Sequence, residues 1–332
     1  MVGAGAITRG GGLTALDEVL PAGVELRSLS ESVAADLANG AALADLLRDL
    51  AVDEVPLHRE NLPRIRPILV ALAARASGAS SVDDEMQHAA ELLHLALQLH
   101  DLALGRPGGR RRRAVRRVVQ GIGWVGGSVL TLRALELVRA TRPEALADVV
   151  DTLREFTEGQ ALARELAAGR VPRRSDWAEH ADARTGALFA WCCRAGGVVA
   201  RAPSADRLAL ARYGRHLGRL WHAAEDLAAL RHEAGAGRWL AQRVAIGRPV
   251  LPLVVALERD PTLESGWPLV ARGERAAADR LAAAAIAPEV VTDVRDVLLA
   301  ESFAARRALH VLPASTYRTA LEQLTLGVVR AG

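Results

Sequence analysis

The segment from Leu92 to Arg113 carries the side chains whose types and spacing suggest chemistry. His94 and Asp101 are seven residues apart, so a helix places both on one face, and His100 directly precedes Asp101. Glycines and a proline then interrupt the helical pattern, and four consecutive arginines close the segment. Carboxylate oxygens are ligands for Mg²⁺, and arginine forks suit phosphate oxygens. The segment therefore combines a candidate metal ligand with a candidate anion-binding run.

Each of these side chains also has an ordinary structural interpretation. The arginine run fits a solvated basic turn, or a contact to nucleic acid or membrane, as well as a phosphate contact. Histidines on an apolar helix are commonly satisfied core residues, and Asp101 lies near enough to the helix end to make a local polar contact. The residues of this segment alone leave these alternatives open.

A second acidic pair, Glu225 and Asp226, lies in the middle of another helical segment. Both carboxylates are candidate metal ligands of the same kind as Asp101. A salt bridge to Arg219 or Arg231 is the structural alternative for this pair.

The periodicity that must position these residues is helical almost throughout. Half of the 332 residues are apolar but only 3% are aromatic, so the core must be built mainly from Leu, Ala and Val, which favours close-packed helices. We predict an all-α fold, a single bundle of about ten to thirteen helices over residues 29–332, after a loose tail at 1–28. The predicted helices after the first two are Asp83–Leu104, Arg112–Gln120, Ser128–Thr141, Pro143–Ala168, Arg174–Gly196, Ala205–Ala234, Leu251–Glu258, Glu274–Ala285, Pro288–Leu309 and Ser315–Val329.

Charge and targeting signals narrow the class of protein. The net charge of +3 does not by itself imply nucleic acid, and all 42 basic residues are arginine. The only cysteines are the adjacent pair Cys192 and Cys193, which fits neither a disulfide framework nor a zinc site. No signal peptide and no uncharged apolar run long enough for a transmembrane segment is evident. We therefore expect a reduced, cytoplasmic protein without a nucleic-acid partner.

Several motifs along the chain resemble the isoprenyl diphosphate synthase (polyprenyl synthetase) family in order and spacing, over roughly residues 30–330. Arg64 and Arg66 resemble the arginines of its G-K-R-x-R-P turn, and His94 resembles the histidine of its E-x-x-H helix. Asp101 matches one of the three carboxylates in the first D-D-x-x-D motif. Two arginines that follow this motif in the family are matched at Arg110 and Arg111.

The second half of the chain continues the resemblance. Arg184 opens a segment similar to the family's K-T-A-x-L-F run, with arginine in place of lysine. Glu225 and Asp226 stand where the second D-D-x-x-D motif is expected, and Gly247 to Pro252 resembles the G-K-x-x-L-P turn after it. The outer carboxylates of both motifs are replaced, because Gly105 and Ala229 occupy the i+4 positions.

The resemblance implies a fold of the isoprenoid synthase type, with helices around a central cavity. In that family two aspartate-rich motifs hold three Mg²⁺ ions against an allylic diphosphate. The carry-over makes Asp101, Glu225 and Asp226 the catalytic and metal-binding candidates, for a reduced number of Mg²⁺ ions. Ala96 and Leu97 fall where the family sets product length, although plain core positions are the alternative. The candidate diphosphate-binding residues are Arg64, Arg66, His94, Arg110, Arg111 and Arg184.

Two alternative functions are consistent with aspartate-rich motifs that have lost carboxylates. One is a retooled prenyltransferase or terpene synthase that binds an isoprenoid diphosphate, with ordinary chain elongation made very slow by the lost carboxylates. The other is a non-catalytic regulatory subunit of an active isoprenyl diphosphate synthase. Members of the family commonly dimerise through helices in the middle of the chain. The resemblance therefore implies a homodimer, or a heterodimer with an active paralogue.

Overall fold

A computed structural model of the chain describes residues 65–104, 113–232 and 235–331. Those ranges contain helices and short connections but no strand, so the all-α prediction is confirmed. The tail predicted at 1–28, the helix predicted after Leu29, and the candidate ligands Arg64, Arg110 and Arg111 lie outside the described residues. No helix in the described ranges is long and apolar enough to cross a membrane.

The helices of the first half are α1 Ile65–Ala76, α2 Asp84–Leu104, α3 Arg113–Thr141, α4 Leu146–Ala167, α5 Arg174–Ala181 and α6 Ala187–Val199. The second half contains α7 Ser204–His232, α8 Ala236–Ala245, α9 Leu251–Arg259, α10 Gly266–Ala271, α11 Arg275–Ala285, α12 Pro288–Ala308 and α13 Thr316–Ala331. Turns of 3₁₀ helix occupy Pro143–Ala145, Pro261–Ser265 and Leu309–Val311, and a π-helical turn, Asp182–Gly186, joins α5 to α6.

The centre of the bundle is α6, which packs against α1 on one side and α7 on the other. Its sequence is apolar nearly all round, as a helix enclosed by other helices must be, and Phe189 and Trp191 are buried in the main core. Cys192 and Cys193 are buried free thiols on the same helix, and burial raises the pKa of both. They serve the core as small apolar groups.

A second apolar cluster lies around the later helices and the end of α4. Trp267 of α10 and Leu240 of α8 are completely buried there, together with Leu253 of α9 and Leu281 of α11. This cluster fixes α8 and the turn that follows it, and that part of the chain supplies two arginines to the site described below.

One prediction about the glycine-rich stretch 121–127 is wrong. The sequence predicts separate helices over Arg112–Gln120 and Ser128–Thr141, yet α3 runs through the stretch between them without interruption. The reason is close packing against α2: a Cβ on Gly123 would lie 2.6 Å from the carbonyl oxygen of Leu99, and one on Gly127 would lie 2.3 Å from the His100 ring. These glycines let two helix backbones approach, so they are interface residues and do not end the helix.

The segment predicted as one helix over Arg174–Gly196 is interrupted by the π-helical turn. A π turn inserts an extra residue into a helix and shifts the side chains that follow to a new face. Periodicity in the sequence cannot reveal this shift, because it assumes a regular α-helical turn throughout. The short helices α8 and α10 were also missed, since each has ten residues or fewer and begins at a glycine-rich or turn-forming stretch.

Candidate active site

Asp101, at the last turn of α2, is held by three polar side chains from other elements. The Arg184 guanidinium, from the π turn, forms an ion pair with its Oδ2. The Arg248 guanidinium, from the turn after α8, lies 3.1 Å from its Oδ1, and Gln160 Nε2 of α4 donates to the same oxygen at 2.6 Å. The carboxylate is 8% exposed, so four separate parts of the chain meet at one buried group.

The charge state of Asp101 follows from this environment. Burial alone would raise the pKa of a carboxyl group, but Arg184 and Arg248 outweigh it and hold the pKa of Asp101 below its ordinary value. Asp101 is therefore an ionised carboxylate whose oxygens are directed at guanidinium groups.

Four partly buried arginines lie near Asp101 or the neighbouring His94, and we call them the arginine cluster: Arg66, Arg184, Arg243 and Arg248. Burial lowers the pKa of Arg248 to about 9, with a further lowering from Arg184 and Arg243. Arg243 is affected in the same way, by burial and by repulsion from Arg184. Guanidinium groups repel one another strongly in a low-dielectric site, and a bound anion relieves this repulsion. The arginine cluster therefore favours the binding of an anion.

Arg66, on α1, belongs to this cluster through His94 of α2. Its guanidinium carbon lies 5.5 Å from the centre of the Phe189 ring, and its Nε is buried without a hydrogen-bond partner among the described residues. His94 shares a 2.9 Å hydrogen bond with Gln98. Burial, aided by Arg66 and Arg184, lowers the pKa of His94 far below its ordinary value, so the ring is neutral.

Asp226, on α7, makes structural contacts in its buried position. Its Oδ2 accepts a 3.0 Å bond from the backbone N–H of Leu251, at the start of α9, and a 3.2 Å bond from the indole of Trp177. Burial raises its pKa to about 7 despite these bonds. The side chain therefore joins α7 to the N-terminus of α9, an end of a helix that attracts negative charge.

Glu225, next to Asp226, is the exposed member of this acidic pair. Its Oε1 accepts a 2.8 Å hydrogen bond from the Trp221 indole, one turn earlier on α7. Of the two arginines considered from the sequence as salt-bridge partners of the pair, Arg219 binds Asp182 instead, with Nε at 2.7 Å from Oδ1.

A pair of histidines beside the cluster was missed by sequence reasoning. His180 of α5 and His222 of α7 meet edge to face with ring centres 5.6 Å apart. Both ring nitrogens of His180 are buried without a hydrogen-bond partner among the described residues, while His222 shares a 3.3 Å hydrogen bond with Thr185. Burial and the nearby arginines lower the pKa of His222 to about 3, and that of His180 also falls far below normal.

The residues present do not fit a cluster of metal ions. The Asp101 carboxylate is committed to Arg184 and Arg248, and the Asp226 carboxylate to a backbone N–H and an indole. Within the described ranges no three side chains of His, Cys, Asp or Glu are arranged to hold a metal. Hard cations need several oxygen ligands at one point, and this geometry does not provide them.

The remaining predicted residues lie on the core side of α2. Ala96 and Leu97 are both buried in the main core, and the Ala96 carbonyl oxygen lies against Gly127 of α3. A role in setting the length of a bound chain stays a prediction. Arg243 was missed altogether, because an arginine in a short amphipathic helix carries no sequence signal of burial.

Comparison with known proteins places the chain in a family. The chain belongs to the polyprenyl synthetase family, whose model matches residues 63–283. The chain is 27% identical over 280 residues to an all-trans-nonaprenyl-diphosphate synthase (geranyl-diphosphate specific) of Rhodobacter capsulatus, covering 79% of this chain and 83% of the relative.

Solved structures agree with this assignment. A decaprenyl diphosphate synthase from R. capsulatus superimposes with a TM-score of 0.71 at 23% identity, covering 91% of this chain and 98% of that one, and shows the fold. A polyprenyl synthase from Caulobacter crescentus, complexed with calcium and isoprenyl diphosphate, matches with a TM-score of 0.69 at 26% identity, covering 91% of this chain and 97% of that one. The predicted isoprenoid-synthase bundle is thereby confirmed.

Proposed function

We propose that this chain binds an isoprenoid diphosphate, with the diphosphate group held by the arginine cluster. The single observation that carries the proposal is the meeting of Arg184 and Arg248, from distant segments, at one buried carboxylate. Guanidinium forks match phosphate oxygens, and burial strengthens each charge-assisted bond. Arg66 and Arg243 add positive charge beside them.

The chemistry open to such a site is that of a retooled prenyltransferase or terpene synthase. Guanidiniums aimed at a leaving diphosphate stabilise the negative charge that develops as the allylic C–O bond breaks. Among the described residues the remaining carboxylates are not arranged to bind several metal ions, so ordinary chain elongation is expected to be very slow. His94, kept neutral, contributes no charge and acts as a hydrogen-bonding group beside Arg66 and Arg184.

Calorimetric titration of the full chain with farnesyl thiodiphosphate, an unreactive diphosphate analogue, tests the proposal. We expect binding that farnesol does not reproduce, and Arg184→Gln should weaken it by roughly 10- to 100-fold, the cost of one charge-assisted hydrogen bond. Arg295→Gln, which removes an exposed arginine on α12, is the matched control and should leave affinity unchanged. Equal affinity for farnesol and the diphosphate would refute the proposal.

A regulatory subunit is the second candidate, and one surface favours it. One face of α3 exposes Trp124, Val125, Val129 and Leu132, which are between 49% and 65% exposed. We call these four residues the α3 face. Exposed apolar stripes of this kind commonly mark a protein interface. Release of pyrophosphate from farnesyl or geranylgeranyl diphosphate by the purified chain would favour the enzyme, whereas activity only in co-purified complexes with an intact polyprenyl synthetase would favour the subunit.

A further inference from the structure

We propose that Arg184, Arg243 and Arg248 form an anion site that binds the diphosphate without a metal ion, and that Asp101 is an internal anion which the ligand displaces. This inference rests on the proposed function, since it concerns how the same site is filled. It gives Asp101 a role opposite to that of a metal ligand, because removing its charge should strengthen ligand binding.

The contacts of Asp101 show why it competes with the ligand. Both of its oxygens are engaged, Oδ2 by Arg184 and Oδ1 by Arg248 and Gln160. Arg184 pairs with the carboxylate through Nη1 and Arg248 through Nη2. A diphosphate that binds these two nitrogens competes with the Asp101 oxygens for them, and it takes their place when it wins.

Arg243 carries a positive charge that Asp101 does not neutralise. Its guanidinium stacks over Trp239, with the carbon 5.0 Å from the ring centre, and no ion pair forms with it among the described residues. It nevertheless lies near enough to Arg184, Asp101 and Asp226 for their charges to shift its pKa. A partly buried arginine with only a π contact retains unused donors for an incoming anion.

The difference in charge between a diphosphate and the Asp101 carboxylate favours replacement of the carboxylate by the ligand. One carboxylate carries a single negative charge, whereas a diphosphate carries more charge and several further acceptor oxygens, which suits three guanidinium forks. A Mg²⁺ ion would bring additional positive charge to a place where guanidiniums already repel one another, and in the part of the chain that the structure describes no three ligand side chains are arranged to hold it. The site therefore replaces metal ions with arginines.

Titration of the full chain with inorganic pyrophosphate, followed by calorimetry, tests the proposal. One arm contains EDTA, and the other contains Mg²⁺ with correction for magnesium pyrophosphate in solution. We expect binding in EDTA at least as tight as in Mg²⁺. Asp101→Asn should tighten binding about tenfold, because a ligand no longer competes with a residue that occupies its site.

Two controls make this result specific. Asp148→Asn removes a partly buried carboxylate of α4 that pairs with Arg194, outside the arginine cluster, and should not change pyrophosphate affinity. Arg243→Gln should weaken binding in EDTA by about tenfold or more, while Arg295→Gln should not. Thermal unfolding of each variant checks that it is folded, and added pyrophosphate should raise the Tm of Asp101→Asn more than that of the unmodified chain.

The outcomes separate the two proposals. Binding of pyrophosphate only in Mg²⁺, or weaker or unchanged binding by Asp101→Asn, would overturn the metal-free exchange and leave the diphosphate function standing. No binding of pyrophosphate or of farnesyl thiodiphosphate in either arm would overturn both.

Discussion

Two buried side chains beside the arginine cluster have pKa values shifted in opposite directions for the same physical reason. Burial disfavours the charged form of each group, so the pKa of Asp226 rises to about 7 and that of His222 falls to about 3. Both groups are thus neutral in slightly acidic solution. Their contributions to the pH dependence of stability have opposite signs, and single variants are needed to separate them.

Asp226→Asn should remove a loss of stability that appears as the pH rises. Between the ordinary aspartate pKa of 3.8 and about 7 the folded chain holds a proton that the unfolded chain has released, so folding weakens with rising pH. The slope is at most on the order of 1.4 kcal/mol per pH unit. Urea unfolding from pH 4 to 8 should show the variant gaining on the unmodified chain, and Asp260→Asn, at an exposed cap, should show no gain.

His222→Gln should reduce the pH dependence of stability that has the opposite sign to that caused by Asp226. Below the ordinary histidine pKa of 6.5 the unfolded chain takes up a proton that the folded chain refuses until about pH 3, so stability falls as the pH drops through this window. The midpoint of urea unfolding between pH 6.5 and 4 should therefore depend less on pH in the variant. His310→Gln, which changes an exposed histidine, should preserve the full slope, and an identical flattening there would contradict the assignment.

At the scale of elements, the site depends on how closely α2 and α3 approach and on the π turn. The α2 helix delivers His94 and Asp101, and glycines on α3 permit its backbone to come near. The π turn delivers Arg184 toward Asp101, while Asp182 in the same turn binds Arg219 of α7. Neither the close approach of α2 and α3 nor the π turn can be recognised from helical periodicity, because periodicity assumes regular turns.

Two glycine substitutions in α3 should have opposite effects. Gly123→Ala places a methyl group 2.6 Å from the Leu99 carbonyl oxygen, so α2 and α3 must move apart, and we expect a loss of about 1–3 kcal/mol. Gly121→Ala meets nothing within 4 Å, and replacing an exposed helical glycine should raise stability by up to about 1 kcal/mol. Chemical unfolding of both variants measures the difference, and equal effects would mean that the close approach is unimportant.

At the scale of the whole molecule, the core is enclosed but the α3 face is not. Its four residues follow one another at helical spacing on a single exposed stripe, whereas most large apolar side chains of α1 and α6 are completely buried. A second chain, identical or homologous, would cover this stripe. We therefore expect the dimer contact that the family resemblance implies to lie on α3.

Val129→Glu should break that contact. A charge in the middle of the α3 face would have to be buried unpaired in a dimer, which is strongly unfavourable, so sedimentation should show a shift to monomer at micromolar concentration. Leu208→Glu, on the exposed side of α7, is the matched control and should leave the mass unchanged. A monomeric unmodified chain would contradict the predicted homodimer, and a dimer that survives Val129→Glu would place its contact on another surface.

The amino-acid sequence by itself determined the all-α class, the positions of most long helices and the membership of the family. Helical spacing of apolar residues is a local property of the sequence. The order of the motifs can also be recognised without a structure, as shown by Arg66, His94, Arg184 and the Glu225–Asp226 pair. The loss of the outer carboxylates was also evident without a structure.

Only the tertiary structure decided what the remaining charges contact. Arg184 and Arg248 are 64 residues apart in the chain but meet at Asp101, and Arg243 joins them from a helix that periodicity did not reveal. Asp226 matched a metal motif in sequence, yet its carboxylate accepts bonds from Leu251 and a tryptophan. Burial and long-range charge contacts set these roles, and both depend on how helices pack around one another.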